Sequence, residues 1–143
     1  MRYLIVPLQA LDAGTPAPGP LAAWAAAIAS ATDLCVLLDA RAALVAASGG
    51  FAQLVGVPVA ELTGRPLFPE ILQVLDFSDG ALISSADLGR TPPLLALSAG
   101  VLARSLLRVR RADRSCLTLD AVSTPVAGPD GIVAGSVTFL RTV

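Results

Sequence analysis

Apolar residues fall into three spacings along the chain. Leu34–Leu38 and Leu44–Ala47 are short unbroken apolar runs, parted by a turn that holds Asp39 and Arg41. Runs of that length between turn residues predict two strands. From Ser105 to Arg111 the pattern becomes alternation, with Leu107 and Val109 set against Arg108 and Arg110. That spacing predicts a strand with one buried and one wet face. Ala112-Asp113 then turns the chain. Cys116–Val126 and Ile132–Leu140 predict two further strands on either side of Pro129-Asp130-Gly131, a tight-turn tripeptide. The third spacing is helical: Leu21, Trp24 and Ile28 recur at intervals of three and four in a segment that is otherwise nearly all alanine. Gly19-Pro20 suits its first turn, and the pattern gives out by Asp33.

The middle of the chain breaks into short pieces. Gly49-Gly50 leads into a helical pattern through Phe51, Leu54 and Val55, which Gly56 stops. Val57-Pro58 turns the chain, Glu61-Leu62 sits on another short helical turn, and Gly64-Arg65-Pro66-Leu67 closes the segment. Glu61 and Arg65, four apart, predict a surface ion pair worth about 0.5 kcal/mol or less. The apolar spacing of Phe68–Leu75 predicts a short helix. Asp76–Thr91, with Asp79-Gly80 and Gly89, predicts mostly loop, and Pro92-Pro93 opens a helix over Leu94–Arg104 that is interrupted or ended near Gly100. At the other end, Ala13–Gly19 is a Pro/Gly linker, and apolar Arg2–Leu11 fits either a strand or a docked extended arm.

An aspartate-ended strand, a hairpin, an aromatic helix, a glycine and then Glu61-Leu62-x-Gly64-Arg65-x-Leu67 resembles the opening of a PAS domain, the sensory module of bacterial signalling proteins. Thr124-Pro125, Asp130-Gly131 and Gly135 resemble its end, in the right order and spacing. The resemblance implies an α+β fold, a five-stranded antiparallel sheet with short helices over one face and an N-terminal flanking helix. Residues 1–19 would be arm and linker, 20–32 the flanking helix and 33–143 the PAS-like domain. The last strand would pair with the first. Carried over residue by residue, the inward strand positions would be Val36, Leu38, Leu44, Ala46, Leu107, Val109, Leu119, Ala121, Val133, Gly135 and Val137. Phe51, Leu62 and Leu67 would roof them. Such a lining suits a small apolar or aromatic ligand, with Ser48, Ser123 and Arg65 as the few polar candidates. It equally suits a packed core without one. The flanking helix would use Leu21, Trp24 and Ile28 either to pack on the sheet or to form a homodimer seam.

Composition narrows the chemistry. A length of 143 residues fits one domain with an N-terminal extension and can close a core. Mean hydropathy of +0.74 raises the question of a membrane span. However, Pro16, Pro18, Gly19 and Pro20 break the uncharged stretch after Asp12, leaving Leu21–Ala29, well short of the about 20 apolar residues a span needs. The apolar stretch before Pro7 is too short for a secretory signal, so a cytoplasmic protein with no membrane contact is expected. Net charge is −1, so no overall field favours nucleic acid. Half of the ten arginines (Arg104, Arg108, Arg110, Arg111 and Arg114) cluster, as a solvated strand face or as a patch for an acidic partner.

The chain has no histidine, which removes Ser-His dyads, histidine-bound zinc and an imidazole base. Gly49-Gly50 has neither the lysine nor the spacing of a phosphate loop, and an enzyme is not expected. Cys35 and Cys116 lie in apolar strand runs and read as reduced core thiols rather than a disulfide or metal pair. Among PAS cofactors, haem lacks its histidine, and covalent flavin lacks the cysteine that would follow Gly64-Arg65 by two residues. Residues 68–104 hold no cysteine for the photoactive-yellow type of chromophore. No cofactor is therefore expected. The Asp-x-Thr element that often ends these domains is absent, since the chain reads Arg141-Thr142-Val143. The expected function is a sensory module that binds a small apolar ligand or a protein partner. It would relay the change through flanking helix and sheet to a separate or fused kinase, phosphatase or regulator. The alternative is a ligand-free dimerisation or docking module of a larger signalling or transcription-regulatory protein.

Overall fold

The computed structural model describes residues 19–143; the Arg2–Leu11 segment and most of the Pro/Gly linker lie outside the described residues. Helix α1 is Pro20–Ala29. Strands β1 (Leu34–Asp39) and β2 (Leu44–Ala47) follow. Short helices α2 (Gly49–Val55) and α3 (Val59–Leu62) and a wide helical turn at Leu67–Ile71 cross to β3 (Gln73–Leu75). Helices α4 (Ser85–Leu88) and α5 (Pro92–Ala99) precede the long strands β4 (Ala103–Arg110), β5 (Cys116–Ala127) and β6 (Val133–Thr142). The strands form one antiparallel sheet in the order β2-β1-β6-β5-β4-β3. As expected, the last strand pairs with the first, Leu34 opposite Leu140 and Asp39 opposite Gly135.

Local chemistry sets the element boundaries. The Asp39 carboxylate accepts from the Arg41 and Ala43 amides at 2.8 and 3.1 Å, closing the β1–β2 turn. The buried Ser48 hydroxyl accepts from the Phe51 amide, capping α2, and from the Cys35 amide at 3.1 Å, tying that helix to β1. Gly56 ends α2 at φ 71° and Gly100 ends α5 at φ 65°, the left-handed geometry that glycine adopts without strain.

The sheet separates two apolar clusters. Its inner face carries Val36, Leu38, Leu107, Val109, Leu119 and Ala121, closed by Phe51, Leu62, Leu67 and Leu88 from the helical segments. Its outer face packs Cys35, Leu37, Val126 and Val137 against Ile28 of α1.

Three expectations need correction. The sheet has six strands, because Phe68–Leu75 does not form one helix: Gln73–Leu75 is extended and pairs with Arg110–Arg108. A three-residue strand next to a helical turn leaves no distinct period, and pairing it covers part of an otherwise open β4 edge. The 76–91 loop also contains α4, capped by the Ser84 hydroxyl accepting from the Asp87 amide. Third, the Glu61–Arg65 pair does not form. Thr63 is extended and Gly64 has φ 86°, so the helical face ends at Leu62. Arg65 instead lies 4.0 Å from Glu70.

Candidate functional site

The concave inner face is the best-defined candidate site. Val36 and Leu38 rise from β1, Leu107 and Val109 from β4, and Leu119 from β5. Leu44 of β2 lies at the edge, and Phe51, Leu62 and Leu67 cover them; each of these is buried. Toward the α5 end the lining turns polar. Ser123 and Thr138 stand opposite each other with hydroxyls 2.6 Å apart, and the Ser136 hydroxyl donates to the Pro93 carbonyl at 3.2 Å. Every buried side-chain nitrogen and oxygen among the described residues has a partner. The inner face is thus an apolar core with a satisfied polar end. Where β3 parts from β4, a cleft of about 350 Å³ opens beside α4. Inner-facing Val74 and Leu107, together with Ile83 and Thr91, line it, and Phe77 and Arg90 stand at its margin.

No protein-family model matches the sequence, and no curated protein resembles it in sequence. Solved structures do resemble it in fold. A PAS domain from the fruit-fly ELK potassium channel superposes with a TM-score of 0.65 at 15% identity, over 86% of this chain and 96% of that one. The Rhodobacter sphaeroides LOV protein gives 0.65 at 19% identity, over 87% of this chain and 67% of that one. The protein VqmA, in a structure described as bound to DPO, gives 0.64 at 14% identity, over 82% of this chain and 55% of that one. The chain folds as a PAS domain.

The PAS sheet brings together ten of the fourteen lining residues expected from the sequence: Val36, Leu38, Leu44, Phe51, Leu62, Leu67, Leu107, Val109, Leu119 and Ala121 all join the inner cluster. Val133 and Val137 do not. Val137 belongs to the outer cluster, and Val133 sits near Gly100, outside both clusters. The inward residues of β6 are Ser136, Thr138 and Leu140, one position out of step with the expectation. A one-residue slip moves every side chain of a strand to the other face, and β6 misleads because its buried inner positions carry the hydroxyls of Ser136 and Thr138 while Val137 faces α1. Gly135 likewise faces outward. Ala46 moves to the outer cluster through a bulge. Leu37 pairs with Ala46 but Leu38 pairs with Leu44, so Val45 is the extra residue and Ala47 takes the inward place. The Ser123, Ser136 and Thr138 group was only partly visible in the sequence, through Ser123. Arg65 is half exposed at the surface.

The flanking helix seats on the outer face of this PAS sheet. Ile28 is 2% exposed among Cys35, Leu37 and Val137, and Leu21 packs beside it, so both belong to the intramolecular core rather than to a free seam. Trp24 is 38% exposed. Gly135 makes the seat possible. A Cβ there would fall on the Leu38 carbonyl oxygen and come within 2.8 Å of Leu21. Neither cysteine faces the concave side. Burial pushes the Cys35 thiol above its ordinary value, against a smaller opposing effect of the Ser48 hydrogen bond, while Cys116 is exposed.

Proposed function

We propose that the chain is a sensory signal-transduction module whose concave face answers to a small apolar molecule and whose flanking helix carries the response. One observation supports this above the rest. The β1–β6 pair that floors the inner cluster with Val36 and Leu38 also carries α1 on its reverse side, through Leu37, Val137 and the side-chain-free seat at Gly135. Displacement of Leu38 from within is therefore felt by Leu21 across a single backbone layer. The cleft between α4 and β4 touches the inner cluster at Val74 and Leu107, and these apolar residues with Phe77 and Ile83 favour a small apolar or aromatic occupant held beside the polar Thr91 and Arg90. VqmA, of the same fold, is described as bound to DPO, which supports small-molecule sensing without naming the molecule here. A flavin adduct is disfavoured, since Cys35 packs on the outer face and Cys116 is exposed.

A second reading, a ligand-free dimerisation module, is favoured by the outer face beyond α1. There Leu106 and Phe139 are exposed beside Val122, and Trp24 is exposed on the helix. Native mass spectrometry of the purified chain separates the readings. A bound small molecule supports the sensor. A clean dimer without added mass, even after incubation with an apolar small-molecule mixture, sinks it and leaves the dimerisation module.

A further inference from the structure

A second cleft, of about 280 Å³, lies by the β3 edge of the sheet, where Arg110, Arg111 and Arg114 line it together with Glu70 and Gln73, over Val55 and Ile71 at the rim of the inner cluster. Its backbone is held firmly. The Arg111 amide donates to the Ser115 carbonyl at 2.7 Å, closing the β4–β5 hairpin, and the Ala112 amide donates to the Leu54 carbonyl at 3.3 Å, pinning the hairpin to the last turn of α2. Arg114 holds φ 71° within that turn. The three guanidinium groups form no ion pair among the described residues, whereas Arg65, Arg104 and Arg141 do. Arg110 donates only to the Gln73 side-chain oxygen, at 3.3 Å. The neighbouring Asp113 carboxylate is committed to the amide and hydroxyl of Ser115. Glu70, the one carboxylate lining the cleft, lies 4.0 Å from Arg65. Three positive groups facing one negative group leave an excess of two positive charges, in a molecule whose net charge is −1.

We propose that this cleft binds a dianionic phosphate monoester carried by a small molecule. Guanidinium groups match phosphate oxygens with paired hydrogen bonds, and the excess of two charges matches a dianion. The cleft's size suits a headgroup rather than a polymer, and the negative molecule offers a nucleic-acid strand no wider field to follow.

The test is an amide NMR titration of the full chain with inorganic phosphate, against sodium chloride and sodium acetate at matched ionic strength. Saturable shifts at Gln73, Arg111, Ala112 and Arg114, stronger with phosphate than with acetate, are expected. Arg111→Gln and Arg114→Gln should each weaken binding about tenfold, in line with the loss of a charge-assisted hydrogen bond. Glu70→Gln should tighten it. Both arginines are exposed, so unchanged dispersion of the remaining amides will confirm that the variants fold. Shifts no larger than those with chloride, equal response to acetate, or binding indifferent to both arginine variants would overturn the proposal.

Discussion

At the scale of single residues, Gly135 carries the heaviest steric demand among the described glycines. Its φ is ordinary, so the constraint is space: β1 and α1 meet over it, and the Leu38 backbone cannot yield as a flexible side chain would. Gly135→Ala should lower stability by about 2–3 kcal/mol, read from the urea midpoint of unfolding, with the denaturant slope unchanged. Asp120 shows a different demand. Its carboxylate accepts from Arg104 at 2.6 and 3.0 Å and lies 3.7 Å from Arg141. Hydrogen bonding to Arg104 holds its pKa below the ordinary 3.8, and the two guanidinium charges add to that effect. Because the folded value is the lower one, this contribution is present above pH 3.8 and disappears as pH falls through the folded pKa. Thermal unfolding measured downward from pH 5 should therefore lose stability less steeply in Asp120→Asn. Some slope will remain, since hydrogen bonds from Ser78 and Ser115 also lower the pKa of Asp76 and Asp113. Identical slopes in the two proteins would refute this account.

At the scale of elements, the flanking helix is where burial separates residues that the sequence treats alike. Leu21, Trp24 and Ile28 share one helical stripe in the sequence, yet Ile28 is sealed against β1 and β6 while Trp24 keeps 38% of its surface. Ile28→Ala should cost about 2–4 kcal/mol, the loss of a core side chain and the cavity it leaves. Trp24→Ala should cost much less in a monomer; equal costs for the two in chemical denaturation would mean the helix is seated otherwise. The elements also show what could be read beforehand. The strand ends and the glycine caps were legible because each depends on a local signal: Asp39 closing its turn, Gly56 and Gly100 at positive φ, Asp130-Gly131 at a hairpin; the long-range pairing of first strand with last followed only from the PAS resemblance. The inward face of β4 was legible too, fixed by its alternating arginines, whereas that of the unbroken apolar β1 followed from the PAS register. The inward face of β6 was not legible. In Val133–Leu140 the outward positions include apolar Val137 and Phe139 while the inward ones include Ser136 and Thr138, whose buried hydroxyls find partners, so alternation there points to the wrong face. The bulge at Val45 and the three-residue β3 leave no periodic trace, so the sheet's sixth strand came only from the structure.

For the whole molecule, the outer sheet face is where the proposed dimerisation reading can be tested. Val122 and Phe139 alternate there with the Arg104–Asp120–Arg141 cluster, in a shallow cleft of about 430 Å³ that reaches Asp33. Apolar and charged positions interleaved on one surface can complement a copy of themselves across a two-fold axis. Phe139→Arg, exposed and far from the concave core, should shift sedimentation toward the monomer without altering the unfolding midpoint. An unchanged profile would place any dimer elsewhere. No helix among the described residues is long and apolar enough to cross a membrane. The pairing of Leu34 with Leu140 has a consequence of its own. A polypeptide that enters and leaves the sheet at adjacent points can be spliced into a surface loop of a host protein with little distortion of either partner. The same adjacency lets its two borders be fused and new ones cut at the Pro129-Asp130-Gly131 hairpin, yielding a permuted variant of the same sheet.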